Sequence, residues 1–522
     1  MSGFLVITLA PIICAIMSYS LPKLRNEFSF IGALLPLYFS LLIFKSPHRP
    51  IPEWGNVFSS SGFYFDYLTG LMLIVLSFAI FVIVTYSFRY TKGMEHVGEY
   101  YLYTLFLLGF GNILLLLNNL LLIGGLWLFV SLIGLILSTT ISKTWIKRPK
   151  RYFILLYDLF FIGGVLLTKN TPVLMDNYSK LLSSSSSIIF YLGSIMLFVG
   201  IIGKLGLFPF HNWLDDLSAQ TFPLGHLVFV TAIQRIIGIY LLIRLGYFIF
   251  DDSSFLYLQT LVVLASVINI LWTGYRAIHE DNIYRFLIEN EQVQLSLVII
   301  GIFSFTPTVF AGGLLLFIFN LIVQLCLIQG VGSVQYWRKT FDLIEVAGLV
   351  RKLPITCLII ILAMFLNIGF LPLAGFYGKW FMLQGLFPII RFINSISVFG
   401  VIIGTILVTI YSLKFLKIIS FPPAVSLGIS RIREVGFTMW FTPFLVGLLG
   451  IILSFFLEKI TLPQVILPIL QEVFTSTELI SISRYSSVRI WAVVIIGAIL
   501  LGGILQEGKI NYKRIILRNK LC

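Results

Sequence analysis

The chain has 522 residues, of which 58% are hydrophobic and only 11% charged, with a mean hydropathy of +1.01. A soluble globular chain carries about a quarter charged residues, so this composition excludes a fold that coats itself in water. The net charge of +14 does not indicate a nucleic-acid partner, because basic residues in a membrane chain report its topology.

Apolar runs of eighteen or more residues recur along the chain, each able to cross a ~30 Å hydrocarbon core. They lack the period-two alternation of lipid-facing barrel strands, so the spans are helices. In chain order they fall near residues 3–20, 29–45, 68–88, 100–118, 120–141, 152–168, 186–209 and 224–249. The remainder lie near 255–273, 286–303, 309–331, 354–388 (interrupted), 395–416, 436–456 and 489–506. The first, Phe4 to Met17, has no basic flank before it and no small-residue cleavage site after it, and reads as a retained span rather than a signal peptide. The expected fold class is an all-α polytopic membrane protein of about fourteen transmembrane helices, forming a single membrane domain over 1–522. The serine run Ser183–Ser187 reads as a flexible outer loop.

Alternate loops are rich in basic residues: Lys23 and Arg25, then Arg89 and Lys92, then Lys143, Lys147, Arg148, Lys150 and Arg151. A later loop adds Arg338, Lys339, Arg351 and Lys352, whereas the opposite loops are poorer, with Lys45 and Arg49, Lys169 and Lys180, and Arg244. By the positive-inside rule the N-terminus faces outward and the basic loops face the cytoplasm or mitochondrial matrix.

Cys14, Cys326, Cys357 and Cys522 form no CxxC pair and no His–Cys cluster, so neither a metal, an iron–sulfur cluster nor a disulfide framework is expected. There is no GxGxxG or Walker-type loop. No cofactor is expected in this chain.

Two stretches place a lysine within apolar sequence beside a helix-breaking proline: Gly203-Lys204 through Pro209-Phe210-His211, and Gly369 through Pro372, Gly375, Gly378 and Lys379. Proline removes a ladder hydrogen bond and glycine lets the backbone unwind, which frees carbonyls at membrane depth. Paired interrupted helices are the mark of an internally repeated transporter with its ion site at the breaks. The expected repeats are two inverted five-helix units with discontinuous helices, at about 100–250 and 255–420, with 421–522 as C-terminal helices.

A charged group at a helix centre costs about 2.5–3.5 kcal/mol on the lenient scale, so Lys204, Lys379 and Arg235, which interrupts Leu227–Leu242, each call for an explanation. The alternative for each is a side chain that snorkels at a helix end. Glu289 with Gln292, and Glu291 with Gln294, fall on two faces of one helix, and either face is suited to lining a hydrated channel. The alternative is a polar helix end beneath the headgroups. Asn320 and Gln324 lie one turn apart and suit either a held water or a plain interhelical bond. Asp158 and His211 stand alone in apolar sequence.

Several of these stretches resemble the antiporter-like family, which comprises NADH dehydrogenase subunits 2, 4 and 5, Mrp antiporter subunits and membrane-bound hydrogenase subunits. Lys204 to Trp213 resembles the family's K-x-x-x-x-PFHxW signature, and Phe65-Asp66-Tyr67-Leu68-Thr69-Gly70-Leu71 its FDxLSxL segment. Asn282 to Leu287 is similar to its NIKRLL segment, and Gly375-Phe376-Tyr377-Gly378-Lys379 to its GFxGK break. The resemblance runs from about residue 62 to 385. A lysine at 379 resembles subunits 2 and 5 or Mrp more than subunit 4, which carries glutamate there.

The chain also departs from the pattern. Leu128 stands where the family's fifth helix has a glutamate paired with the seventh-helix lysine, Arg235 where the eighth helix has a lysine, and Gln324 where the eleventh has one. What the resemblance implies is a proton-translocating membrane-arm subunit of complex I, in a mitochondrial inner or prokaryotic cytoplasmic membrane. Its partners would be other membrane subunits and the lipid bilayer, with flavin and iron–sulfur clusters only in partner subunits and quinone met only indirectly. The implied proton route runs through Lys204, Arg235, Glu289, Glu291, Gln324 and Lys379, with His211 and Asp158 nearby. Competing readings are an Mrp-type or inorganic-carbon transporter subunit, and a structural subunit that no longer pumps.

Overall fold

A computed structural model of the chain describes residues 2–45, 63–140, 152–168, 188–218, 223–249, 256–338, 343, 350, 353–370, 373–388, 392–420 and 434–474. The expected span at 489–506, the loop 142–151, Ser183–Ser187 and Pro372 lie outside them.

Among the described residues, ten helices are long and apolar enough to cross a membrane, joined by three shorter apolar helices. The chain begins with α1 (Ser2–Ser20), α2 (Arg25–Phe44), α3 (Tyr67–Tyr90), α4 (Val97–Leu116), α5 (Leu120–Thr140) and α6 (Phe153–Leu167). The 20 residues of α4 extend about 30 Å at 1.5 Å per residue, the depth of the hydrocarbon core. Next come α7 (Ile188–Leu205) and α8 (Asn212–Ser218), which carry the expected first break between them. A turn at Pro223–His226 leads into α9 (Arg235–Ile243), which is flanked by π-helical segments at Leu227–Gln234 and Arg244–Ile249. Then follow α10 (Leu256–His279), α11 (Ile283–Ile302) and α12 (Pro307–Arg338). The second interrupted stretch is α13 (Pro354–Ile368) and α14 (Ala374–Leu386). Finally come α15 (Phe392–Ser420), α16 (Phe437–Phe455), a π-helical segment Leu457–Ile466 and α17 (Leu467–Val473).

The bundle has a clear inside. The apolar window around α9 is wholly buried, whereas those of α1 and α2 are each 28% buried and form the rim. Every residue of α11 except Arg285 is buried, so its polar residues belong to the protein core and not to a helix end beneath headgroups.

Two left-handed glycines mark the breaks. Gly206 ends α7 at φ +70° and Gly369 ends α13 at φ +76°. A Cβ on Gly369 would lie 2.7 Å from the backbone carbon of Gly375, so the returning chain fits only because this position is bare. Small residues also set helix spacing. A Cβ on Gly164 would meet Gly193 O and Leu197 N at 2.7 Å, and one on Gly200 would meet Phe161 N at 2.8 Å. The backbones of α6 and α7 therefore run nearly in contact, and a side chain as short as aspartate can cross between them.

One residue assigned to a loop belongs elsewhere. Arg244 is buried within the continuing helical turn, with Nη2 2.6 Å from Asp66 Oδ1 and 2.8 Å from Thr69 Oγ1. Asp66 in turn caps α3 by accepting from Thr69 N at 2.8 Å. Glu472 of α17 accepts from Tyr67 N at 3.1 Å, which ties the last described helix to the same end of α3. Arg244 thus neutralises a buried cap and says nothing about topology. Without it the loops opposite the basic ones carry still less positive charge.

Candidate functional site

Lys204 sits in the last turn of α7, next to the break. Its Nζ lies 2.6 Å from Asp158 Oδ1 of α6, with both side chains fully buried, and it also donates to Ser131 Oγ of α5. The ammonium is 4.8 Å from the centroid of the Trp127 ring. Trp127 Nε1 donates to Gln234 Oε1 at 2.9 Å, and Gln234 Nε2 reaches Ser131 Oγ at 3.5 Å. Trp127 and Ser131 are i, i+4 on α5 and face inward, while Leu128 is only half-buried. The carboxylate that the resemblance places on the fifth helix is therefore supplied by the sixth. Asp158 is not a lone polar group, and Lys204 has an acidic partner that its local sequence does not show.

Arg235 is likewise paired, with Nη1 2.6 Å from Glu291 Oε1 and 3.2 Å from Glu291 O. The other oxygen of Glu291 lies 3.1 Å from His226 Nε2. Glu289 is held by Arg276 Nη2 at 2.9 Å, and the same guanidinium group reaches Asp215 Oδ1 at 2.9 Å. These side chains grade from 42% exposed at Asp215, through 25% at Arg276, to 4% at Glu289. They form an ionic ladder from the edge of the bundle to its core.

Successive residues of a helix point about 100° apart, so residues 289 to 292 of α11 point all the way around it. Glu289 turns to α10 and Glu291 to α9. Gln292 Nε2 donates to Leu205 O, at the first break, at 3.2 Å. Asn290 Oδ1 accepts from Asn367 Nδ2 at 2.7 Å and from Tyr411 OH at 2.8 Å. Gln294 Nε2 donates to Asn367 O at 3.1 Å and Oδ1 at 3.0 Å, next to the second break. The expected two faces, Glu289/Gln292 and Glu291/Gln294, are thus regrouped: helices surround α11 on every side, and each polar residue finds a different neighbour.

Lys379 of α14 is 5% exposed, and its Nζ donates to Ile368 O at 3.1 Å. That carbonyl is the last of α13 and is freed by the break. Among the described residues Lys379 forms no ion pair. Gly375 and Gly378 admit the close return of the chain: a Cβ on Gly375 would lie 2.8 Å from Leu366 O, and one on Gly378 would lie 3.0 Å from Gly312 O.

Two expected members stand apart. His211 and Pro209 lie in the segment between α7 and α8, where His211 stacks on Phe208 at 5.9 Å and faces Trp272 at 6.3 Å. It turns toward the Asp215–Arg276 ladder and does not touch Lys204. Gln324 reaches only Asn320, at 3.5 Å, and its Oε1 has no partner among the described residues. Asn290, Gln294 and Asn367 form a hydrogen-bonded cluster next to the second break. Sequence reasoning passed over Asn367, Gln234, His226, Tyr411, Asp215 and Arg276. For Gln234 and Asn367 the signal was an amide inside an apolar run; for the rest only the fold reveals the partner.

The family profile described as NADH:quinone oxidoreductase/Mrp antiporter, TM, matches residues 152–406. Over that segment, just under half of the chain, the sequence is similar to the antiporter-like family. The chain is 27% identical over 221 residues to NADH-quinone oxidoreductase subunit M of Rickettsia bellii, covering 42% of this chain and 44% of that protein. It therefore spans less than half the length of that curated relative. It is 24% identical over 456 residues to subunit M of Buchnera aphidicola, covering 79% and 86%. It is 27% identical over 313 residues to NADH-ubiquinone oxidoreductase chain 4 of Acanthamoeba castellanii, covering 56% and 61%. These relatives carry the names subunit M and chain 4, so a lysine at 379 does not by itself assign a branch.

The fold is shared with solved structures. A chain of an archaeal membrane-bound sulfane sulfur reductase superimposes with a TM-score of 0.78 at 16% identity, covering 90% of this chain and 97% of that one. A chain of the Mrp complex of Dietzia gives 0.76 at 16% identity, covering 92% and 99%. A chain of Thermus thermophilus respiratory complex I gives 0.73 at 17% identity, covering 90% and 99%. The chain is an integral membrane protein of this polytopic fold.

Proposed function

We propose that this antiporter-like chain is a proton-translocating membrane-arm subunit of a respiratory NADH:quinone oxidoreductase or a close relative. The carrying observation is that two buried lysines, Lys204 and Lys379, stand at helix breaks whose backbone is reached from both sides by polar residues of α11. Protons enter from the basic-loop side along Asp215, Arg276 and Glu289 and exchange at the Lys204–Asp158 pair. They pass laterally by Glu291, Asn290 and Asn367 to Lys379. Buried amines are poised to change protonation when a neighbouring charge moves, so coupling is electrostatic and this chain performs no redox step. Flavin and iron–sulfur clusters belong to partner subunits, and quinone acts on the chain only through them.

The two glycine-ended breaks support a pair of repeats over 100–250 and 255–420; the basic alternate loops support an outward N-terminus, in a mitochondrial inner or prokaryotic cytoplasmic membrane.

Lys379→Met gives the sharpest test, because among the described residues it strands no carboxylate. The expected result is a fully assembled complex with normal electron transfer and a lowered proton-to-electron ratio. A wild-type ratio in the assembled mutant would reduce the chain to a passive spacer. The Mrp-type alternative rests on the equally good superposition with the Mrp chain; a native complex purified without flavin and iron–sulfur signals would favour it.

A further inference from the structure

Away from the lysines, the end of the bundle where α1 passes to α2 and α3 to α4 holds a cavity of about 560 Å³. Arg25, Asn26, Arg89, Thr91, Lys92 and Thr438 supply its polar lining, and no carboxylate lines it. Among the described residues, none of Arg25, Arg89 and Lys92 forms an ion pair. Arg25 is held in place by Nε donating to Ser18 O at 3.3 Å, which leaves the rest of its guanidinium group for the cavity. Arg89 lies against Gly436, where a Cβ would come 2.9 Å from its Nε, so α16 fixes the stem of the second cation. Three cations gathered around one hollow without an acid repel one another unless an anion occupies it. Guanidinium groups favour phosphate oxygens.

Location narrows the class of anion. The cavity lies where the spanning helices end; exposed Met94 lines it, and exposed Leu21, Leu24 and Phe437 adjoin its lining residues Pro22, Arg25 and Thr438 in sequence. We infer that it binds the phosphate-bearing headgroup of an anionic phospholipid, with the acyl chains lying against those apolar residues. Basic pockets between helix ends on the cytoplasmic or matrix side suit that role. Inorganic phosphate shares the chemistry but leaves the apolar flank unused.

The full chain, purified and delipidated in detergent, tests this by native mass spectrometry and thermal unfolding with dioleoyl phosphatidylglycerol, dioleoyl phosphatidylcholine or sodium phosphate. Wild type should retain one phosphatidylglycerol per chain and unfold at a higher temperature with it, with no such effect of phosphatidylcholine. The exposed pair Arg89→Gln/Lys92→Gln should bind phosphatidylglycerol about thirtyfold more weakly, while Lys23→Gln, on the same boundary but outside the cavity, should bind as wild type. Equal stabilisation by phosphate would overturn the lipid assignment. Unchanged binding in the double variant, or an equal loss in Lys23→Gln, would overturn the site.

Discussion

Lys204 and Lys379 are the same residue type at two helix breaks, yet they are held differently. Lys204 is matched by Asp158, so Lys204→Met would leave a fully buried carboxylate stranded. Breaking such a pair costs about 3–5 kcal/mol, so this variant loses stability as well as flux, even though methionine preserves the side-chain stem. Lys204→Met combined with Asp158→Asn should recover most of that stability and none of the translocation. Thermal unfolding and proton flux measured across the double-mutant cycle check this, and equal losses in the single and double variants would contradict it. The site was half legible in the sequence. The lysines stood out because a cation inside an apolar run is costly, and the breaks because glycine and proline announce them. Asp158 stood out as an acid alone in apolar sequence, but its pairing with Lys204 was not legible, because that meeting depends on α6 and α7 packing through Gly164, Gly193 and Gly200, which no local pattern encodes.

Helix bounds were the most readable feature, because hydropathy alone decides which stretches can cross lipid. The breaks are more demanding. Gly369→Ala forces a positive φ on alanine and drives its Cβ into backbone, whereas Gly206→Ala meets mainly the mobile end of Leu214. The left-handed penalty alone is about 1–2 kcal/mol. Gly369→Ala should therefore lower the unfolding temperature more than Gly206→Ala, and the reverse order would refute this account of the second break. The end of α3 offers a separate check. Burial, reinforced by the charge of Asp66, pushes the Glu472 carboxyl up to about 7. The folded chain then binds more protons there than the unfolded one, so this group's contribution to stability falls as pH rises from the ordinary carboxylate range through about 7. Glu472→Gln keeps an acceptor for Tyr67 N and cannot ionise. Its unfolding temperature should decline less than that of wild type between about pH 5 and 8, and an unchanged slope would exclude Glu472 as the cause.

At the scale of the molecule, the proposed orientation rests on the basic loops, and Arg244 leaves the opposing set. Met94→Cys in the α3–α4 turn should be labelled from the cytoplasmic or matrix side, and Lys45→Cys after α2 from the other. Exchange of those two results would invert the topology. The bundle as a whole was legible in the sequence, but the central place of α11 was not, since a polar stretch reads alike at a helix end and in a core. The different holding of the two lysines has an electrical consequence. A proton passed between Lys204 and Asp158 leaves that pair's total charge unchanged. Each protonation of Lys379, with no counter-ion among the described residues, deposits a full elementary charge at depth. Each 100 mV is worth about 2.3 kcal/mol for a charge carried fully across the membrane. The membrane voltage should therefore weigh on the Lys379 half of the chain and pass almost unnoticed through exchange within the Lys204 pair.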